Sequence, residues 1–283
     1  MINSKTKLMG IFGYPLQHSL SPIMHNKTLQ KMGLNYCYVP LEVKPDDIGK
    51  AVEAIRFFDI LGVNVTIPYK EKVIKYLDGL SPEAKACEAV NLIKNEGGRL
   101  VGYNTDGLGF VSGLEEAGVA IKGNVLIIGA GGAARAVGYS LAKKVQEILF
   151  LDIDKSKAQE LALFIMNQTG TKSHGLEMNQ DILNELKSWA DIIINSTPVG
   201  MFPKVEDTPI DNLDGVKEHV VLCDLIYNPL QTKLLAMGQE KGLYTINGLP
   251  MFIHQGALTL KILTGEDPPI AFMKEVILNQ MQQ

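Results

Sequence analysis

Residues 124–134 read NVLIIGAGGAA, a short apolar run that breaks into glycines and then into small residues. Such a run suits a strand buried on both faces of a parallel sheet. The segment after it, Gly129-Ala130-Gly131-Gly132-Ala133-Ala134, fits the pattern G-x-G-x-x-A between a strand and a helix. Each small residue there has a separate job. Gly129 permits a tight turn, Gly131 lets the backbone approach a pyrophosphate, and Ala134 allows the helix to pack closely on its strand. A helix starting at this point aims its unpaired N–H groups at the phosphates. A second apolar run, 147–151, ends at Asp152, where an acidic side chain can accept from both ribose hydroxyls. These features place a dinucleotide on Gly129, Ala130, Gly131, Gly132, Ala133 and Asp152. The triplet Asp152-Ile153-Asp154 offers carboxylates and no guanidinium to a 2′-phosphate, so NAD is expected in preference to NADP. Lys155 and Lys157 are the nearby cations that keep NADP open as the alternative.

Around this segment, strand-like and helix-like stretches alternate, which predicts an α/β fold with largely parallel sheets. Strands are expected at 8–12, 36–43, 62–66, 191–195 and 220–225, and a hairpin joins 90–94 to 99–103 through 95–98. Ser21-Pro22 reads as an N-cap followed by proline at the first helical position, and Gly33 ends that helix. Helices are expected after Gly248 through residue 263, stopped by Gly265, and near 270–279. A length of 283 residues suits two domains, although periodicity does not decide which of them takes the C-terminal helices. With 46% apolar and 20% charged residues the composition is globular, and a net charge of -4 speaks against nucleic acid as a partner. No apolar run reaches the ~20 residues of a membrane span, and the N-terminus lacks a signal-peptide plan. Cys37, Cys87 and Cys223 are scattered and suit reduced thiols in the cytoplasm. The five histidines are not paired at metal-ligand spacing, and no metal is expected.

Six further segments carry a family resemblance. They are 13–26 (GYPLQHSLSPIMHN), 64–70 (NVTIPYK), 89–91 (AVN), 102–107 (GYNTDG), 224–229 (DLIYNP) and 248–255 (GLPMFIHQ). Together and in this order they resemble shikimate dehydrogenases over essentially the whole chain. The resemblance implies two domains. One, made of residues 1–104 and 248–283, binds substrate and carries catalysis; the other, an inserted Rossmann-like doubly wound domain at 105–247, binds NAD. It implies that Ser19 and Ser21 hold the substrate carboxylate, and that Thr66, Asn91 and Gln255 contact ring hydroxyls or the carboxylate region. Tyr227 lies at the substrate pocket, Gly248 lies near the nicotinamide, and Lys70 and Asp106 sit at the reacting hydroxyl.

The implied activity is interconversion of shikimate and 3-dehydroshikimate with a nicotinamide cofactor and no metal, in a cytoplasmic monomer or homodimer without membrane or nucleic-acid partners. Many biosynthetic members carry an Asn-Arg-Thr-like segment where this chain has Asp152-Ile153-Asp154, so the resemblance is to the NAD-preferring type, some of which accept quinate. A catabolic quinate/shikimate dehydrogenase is the enzymatic alternative, and Ser21 favours shikimate. A sensing module that binds NAD and shikimate without turnover is the other, and it would not need both Lys70 and Asp106. Each residue also has a plainer reading: Lys70 as a solvated lysine beside Glu71 and Lys72, Asp106 as a helix cap, and Ser21 as an N-cap.

Overall fold

Strand β1 (Lys7–Gly13) buries five consecutive residues, as a strand covered on both faces must. The computed structural model describes residues 2–282, and in it β1 is a central strand of a mixed six-stranded sheet. Helix α1 (Ser21–Lys31) returns the chain to β2 (Tyr36–Glu42), and α2 (Ile48–Phe57) returns it to β3 (Gly62–Val65). Both strands lie parallel to β1, one on each side. Next come β4 (Gly79–Leu80), α3 (Pro82–Cys87), β5 (Leu92–Glu96) and β6 (Arg99–Tyr103). Strand β5 runs antiparallel to both β3 and β6, giving the order β2-β1-β3-β5-β6-β4. The β5–β6 hairpin turns on Gly97 and Gly98 alone, whose φ angles of 65° and 96° suit the two-residue turn that matches strand twist. Asn95 and Glu96, expected in the turn, extend the strand instead.

The second sheet is parallel throughout. Helix α4 (Asp106–Glu116) precedes β7 (Asn124–Ile128), α5 (Gly132–Ala142), β8 (Glu147–Asp152), α6 (Lys155–Thr169), β9 (Lys172–Glu177) and α7 (Gln180–Lys187). Then follow β10 (Ile192–Asn195), β11 (Val221–Asp224), α8 (Lys233–Glu240) and β12 (Tyr244–Ile246). The order β12-β11-β10-β7-β8-β9 is the doubly wound arrangement of dinucleotide-binding sheets. Alternate residues explain why both faces are covered. Val125, Ile127, Ile148 and Phe150 pack with α4, α5 and α6, whereas Leu126, Ile128, Leu149 and Leu151 pack with α7 and α8.

Two more helices close the chain, α9 (Leu249–Thr264) and α10 (Ile270–Met281). The chain divides into one unit running through Thr105 and resuming at Ile253, and another spanning Asp106–Phe252. Most of α9 therefore belongs to the first unit, where Thr259 accepts a hydrogen bond from Asn64 at 3.1 Å. A Cβ on Gly62 would stand 2.4 Å from Leu263 Cδ2, so glycine lets α9 settle onto β3. Among the described residues, no helix is long and apolar enough to cross a membrane.

The edge strand β9 tests how tightly these layers are set. A Cβ on Gly175 would lie 2.1 Å from the carbonyl carbon of Ala158 in α6, and backbone cannot move aside as a flexible side chain can. Gly175→Ala is expected to destabilise the protein by about 3 kcal/mol, the upper end for overpacking. Urea denaturation measures it, and a loss below about 1 kcal/mol would contradict the packing described.

Candidate active site

In the first unit, strand direction gathers the polar segments at one end of the sheet. The C-terminal ends of β1 and β3 lie side by side, with Phe12 opposite Val65. The loop carrying Ser19 leaves the first, and the turn carrying Thr66 and Lys70 leaves the second. Because β5 is antiparallel to β3, with Asn64 opposite Leu92, Asn91 enters at that same end. Strand β6 reverses again, with Tyr103 opposite Leu92, so Thr105 leaves there too.

Each segment is pinned by bonds that the side-chain pattern does not reveal. Tyr69 is fully buried and its hydroxyl donates to the Val43 carbonyl, while the Lys70 carbonyl accepts from Val90 N–H at 2.7 Å. The half-buried Lys70 thus sits on a turn held from both sides. The serine loop is braced by Leu16 N–H donating to Glu42 at 2.9 Å and Ser19 N–H donating to Leu16 O at 3.0 Å.

Ser21 corrects an expectation. The N-cap of α1 is Leu20, and no side chain caps the helix. Ser21 is the first helical residue, and its buried hydroxyl meets that of Tyr38 instead. Tyr38 donates to Asn64 Oδ1 at 2.8 Å, and Asn64 donates to the Asn91 carbonyl at 3.0 Å. Burial pushes the Tyr38 hydroxyl well above its ordinary pKa, so it stays a neutral hydrogen-bonding group. His25 stacks on Tyr38 with ring centroids 4.3 Å apart, and burial lowers its pKa to about 3. It is neutral at working pH and supplies no charge to the serine loop.

Asn91 is clamped to Thr105. Its Oδ1 accepts from Thr105 N–H at 2.9 Å, and its Nδ2 donates to Thr105 Oγ1 at 2.9 Å. Thr105 Oγ1 in turn donates to the Gln255 carbonyl at 3.2 Å, tying α9 to the same end. Asp106 follows directly as the first residue of α4 and is buried. Ser21, Asn91 and Gln255 are therefore linked through Tyr38, Asn64 and Thr105, none of which stood among the expected site residues.

The second unit builds a different site at the switch point between β7 and β10, where strand order reverses. Gly129 has φ 102°, and a Cβ on it would lie 2.7 Å from Ser196 Oγ, so the turn itself demands glycine. Gly248 is likewise a demand of packing, because a Cβ there would lie 2.0 Å from the Leu225 carbonyl oxygen. Gly131 differs. Its φ of -83° suits any residue, and a Cβ there would meet nothing within 4 Å. Gly132 is equally open.

The protein needs no glycine at 131 for its own sake, whereas a ligand pressed against the start of α5 does. The residues present fit a dinucleotide pyrophosphate, which Ala130, Gly131, Gly132 and Ala133 would cradle together with the helix N–H groups. Asp152 Oδ2 accepts from Ala130 N–H at 2.7 Å and Oδ1 from Asp154 N–H at 2.9 Å, so this carboxylate braces the glycine turn. Tyr227 stacks on Phe252 at 4.8 Å, and burial raises its pKa. Buried Asp224, whose pKa burial also raises, accepts from Thr232 at 2.7 Å, Asn195 at 3.1 Å and Ile226 N–H at 3.1 Å, fixing the strand end before Tyr227.

A shikimate dehydrogenase (NADP(+)) of Syntrophomonas wolfei is 53% identical over 283 residues, covering 100% of this chain and 98% of that protein. The chain belongs to the shikimate dehydrogenase family. Residues 11–93 match the family's substrate binding domain, and residues 248–278 match the shikimate 5'-dehydrogenase C-terminal domain. The shikimate 5-dehydrogenase of Listeria monocytogenes in complex with shikimate and NAD is 35% identical with a TM-score of 0.93, covering 98% of each chain. The shikimate 5-dehydrogenase of Thermus thermophilus in complex with NADP(H) and shikimate is 32% identical with a TM-score of 0.86, covering 95% of this chain and 98% of that one.

Gly131→Ala separates the fold's demands from the ligand's. Stability should change by less than about 0.5 kcal/mol, as for a surface site. Dinucleotide affinity should fall about tenfold or more, the scale of one lost contact to a charged group. Calorimetric titration alongside thermal melting checks both, and unchanged affinity would remove Gly131 from the cradle.

Proposed function

We propose that this chain interconverts shikimate and 3-dehydroshikimate by hydride exchange with a nicotinamide cofactor, a step of the shikimate pathway to aromatic amino acids. The observation that carries this reading is the convergence of the serine loop, Thr66, Lys70, Asn91 and Thr105 at one sheet end, in a chain that is a family member over its whole length. The first unit is the substrate-binding unit and the second binds the dinucleotide. The hydroxyls of Ser19 and Ser21 hold the substrate carboxylate, Ser21 turning its single hydrogen from Tyr38 to the carboxylate when substrate binds. Thr66, Asn91 and Gln255 hold the ring hydroxyls or the carboxylate region, Tyr227 borders the ring, and the backbone at Gly248 lines the nicotinamide end. The cofactor, when bound, supplies the hydride acceptor.

Lys70 and Asp106 together take the proton of the reacting hydroxyl, which belongs to the relay rather than to one residue. In the reverse direction, protonated Lys70 stabilises the negative charge that develops on the carbonyl oxygen. Lys70→Ala and Asp106→Asn should each lower kcat by ~10²-fold or more, the scale of a positioned acid–base group. The KM for shikimate should change far less. Steady-state rates on folded variants decide this, and near-normal turnover of the Lys70 variant would exclude it from the relay.

NAD is the preferred cofactor. A carboxylate offers about four acceptor sites, so Asp152 can brace its two backbone N–H groups and still accept ribose hydroxyls. Toward a 2′-phosphate the same group is repulsive. Ile153, 85% exposed, brings no donor, and Lys157 lies 3.8 Å from Asp154. The Syntrophomonas wolfei relative is named for NADP, so the preference rests on these residues rather than on kinship. Losing a hydrogen bond to a charged group is worth ~1.5–3 kcal/mol, so kcat/KM should favour NAD by about 10- to 150-fold. Asp152→Asn with Ile153→Arg should reverse the order. Initial rates with shikimate and with quinate, each with NAD and NADP, test substrate and cofactor together. Equal use of both dinucleotides by the wild type would refute the preference.

A further inference from the structure

Thr105 is only 2% exposed and makes three hydrogen bonds inside the first unit. Their directions follow from chemistry alone. A backbone N–H can only donate, so the Asn91 atom 2.9 Å from Thr105 N is the amide oxygen. The Asn91 amide nitrogen then faces Thr105 Oγ1, and the hydroxyl must accept there. Its own hydrogen goes to the Gln255 carbonyl oxygen. Every donor meets an acceptor, and the chain of bonds has one sense. The residue held in this way is the one covalently attached to Asp106.

From this arrangement we propose that Thr105 is a positioning residue for the proton relay, locking the backbone that carries Asp106 to Asn91 and to α9. The proposal rests on the reading of Asp106 as a relay member. Proton transfer requires heavy atoms within about 2.6–3.2 Å, and a displacement near 1 Å can cost ~10²-fold in rate. A residue that acts by placing Asp106 therefore affects turnover rather than binding. The Asn91 side chain is held by the same bonds, but the Thr105 backbone N–H keeps one of them when the hydroxyl is removed.

The experiment compares Thr105→Val, which keeps the shape and removes the hydroxyl, with Thr105→Ser, which keeps the hydroxyl. Thr105→Val should lower kcat for shikimate oxidation about 10- to 100-fold, with KM for shikimate and dinucleotide within about threefold of wild type. Thr105→Ser should return kcat to within about threefold of wild type. In an Asp106→Asn background, Thr105→Val should cost less than about threefold more, because its effect passes through the group already removed.

The proposal is overturned if Thr105→Val turns over within threefold of wild type, if serine does no better than valine, or if the two losses are additive. Melting curves accompany each variant, and if valine prevents folding, Thr105→Ala replaces it under the same criteria. A wild-type protein that does not oxidise shikimate refutes the functional reading itself. A fully active Thr105→Val in an active background refutes only the role of Thr105.

Discussion

The antiparallel pairing of β3 with β5 decides where the polar residues of the first unit come to rest. A parallel β5 would carry Asn91 to the far end of the sheet, away from Thr66 and Lys70, and β6 would carry Thr105 with it. With β5 reversed, segments far apart in sequence emerge at one end, and α9 adds Gln255 to them. Reversal alone would leave buried polar groups exposed to a dry environment, where each unsatisfied donor or acceptor costs about 1–3 kcal/mol. Tyr38, Asn64, Asn91, Thr105 and Thr259 answer one another there, so the network that stabilises this end also sets the directions of its hydrogen bonds.

The second unit reaches its site by a different route. Its sheet is parallel and buried on both faces, so function is confined to the loops at the strand ends. The glycines there divide by cause. Gly129 answers to a backbone angle, Gly248 to a neighbouring carbonyl, and Gly131 to nothing within the protein. A glycine that the fold does not require points to a surface kept bare for something else, and this distinction needs coordinates as well as a motif.

The α/β class, the hairpin and the C-terminal helices were legible because apolar runs and glycine stops mark them directly, whereas the doubly wound sheet came from the family resemblance. Strands β9 and β12 were not. Both lie at sheet edges, where KSHGLE and YTI need no continuous apolar run. The capping role read for Ser21 failed because a serine before a proline has the same local signature whether it caps the helix or begins it. Tyr69, Tyr38, Asn64 and Thr105 were not expected as site residues, for a further reason. Their importance lies in partners tens of residues away, and nothing in a local pattern distinguishes a buried, bonded threonine from any other.

Asp152 joins two properties that are usually considered apart. Its two oxygens receive the N–H groups of Ala130 and Asp154, and so shape the glycine loop before α5. An amide at the same position offers one oxygen and one NH2, and the NH2 would face a backbone donor with nothing to give it. On the proposed reading, discrimination between dinucleotides and the rigidity of the glycine loop rest on one side chain. A lineage leaving one cofactor for the other loosens the support of Ala130 as it changes position 152, and a new cation at 153 has to outweigh that loss.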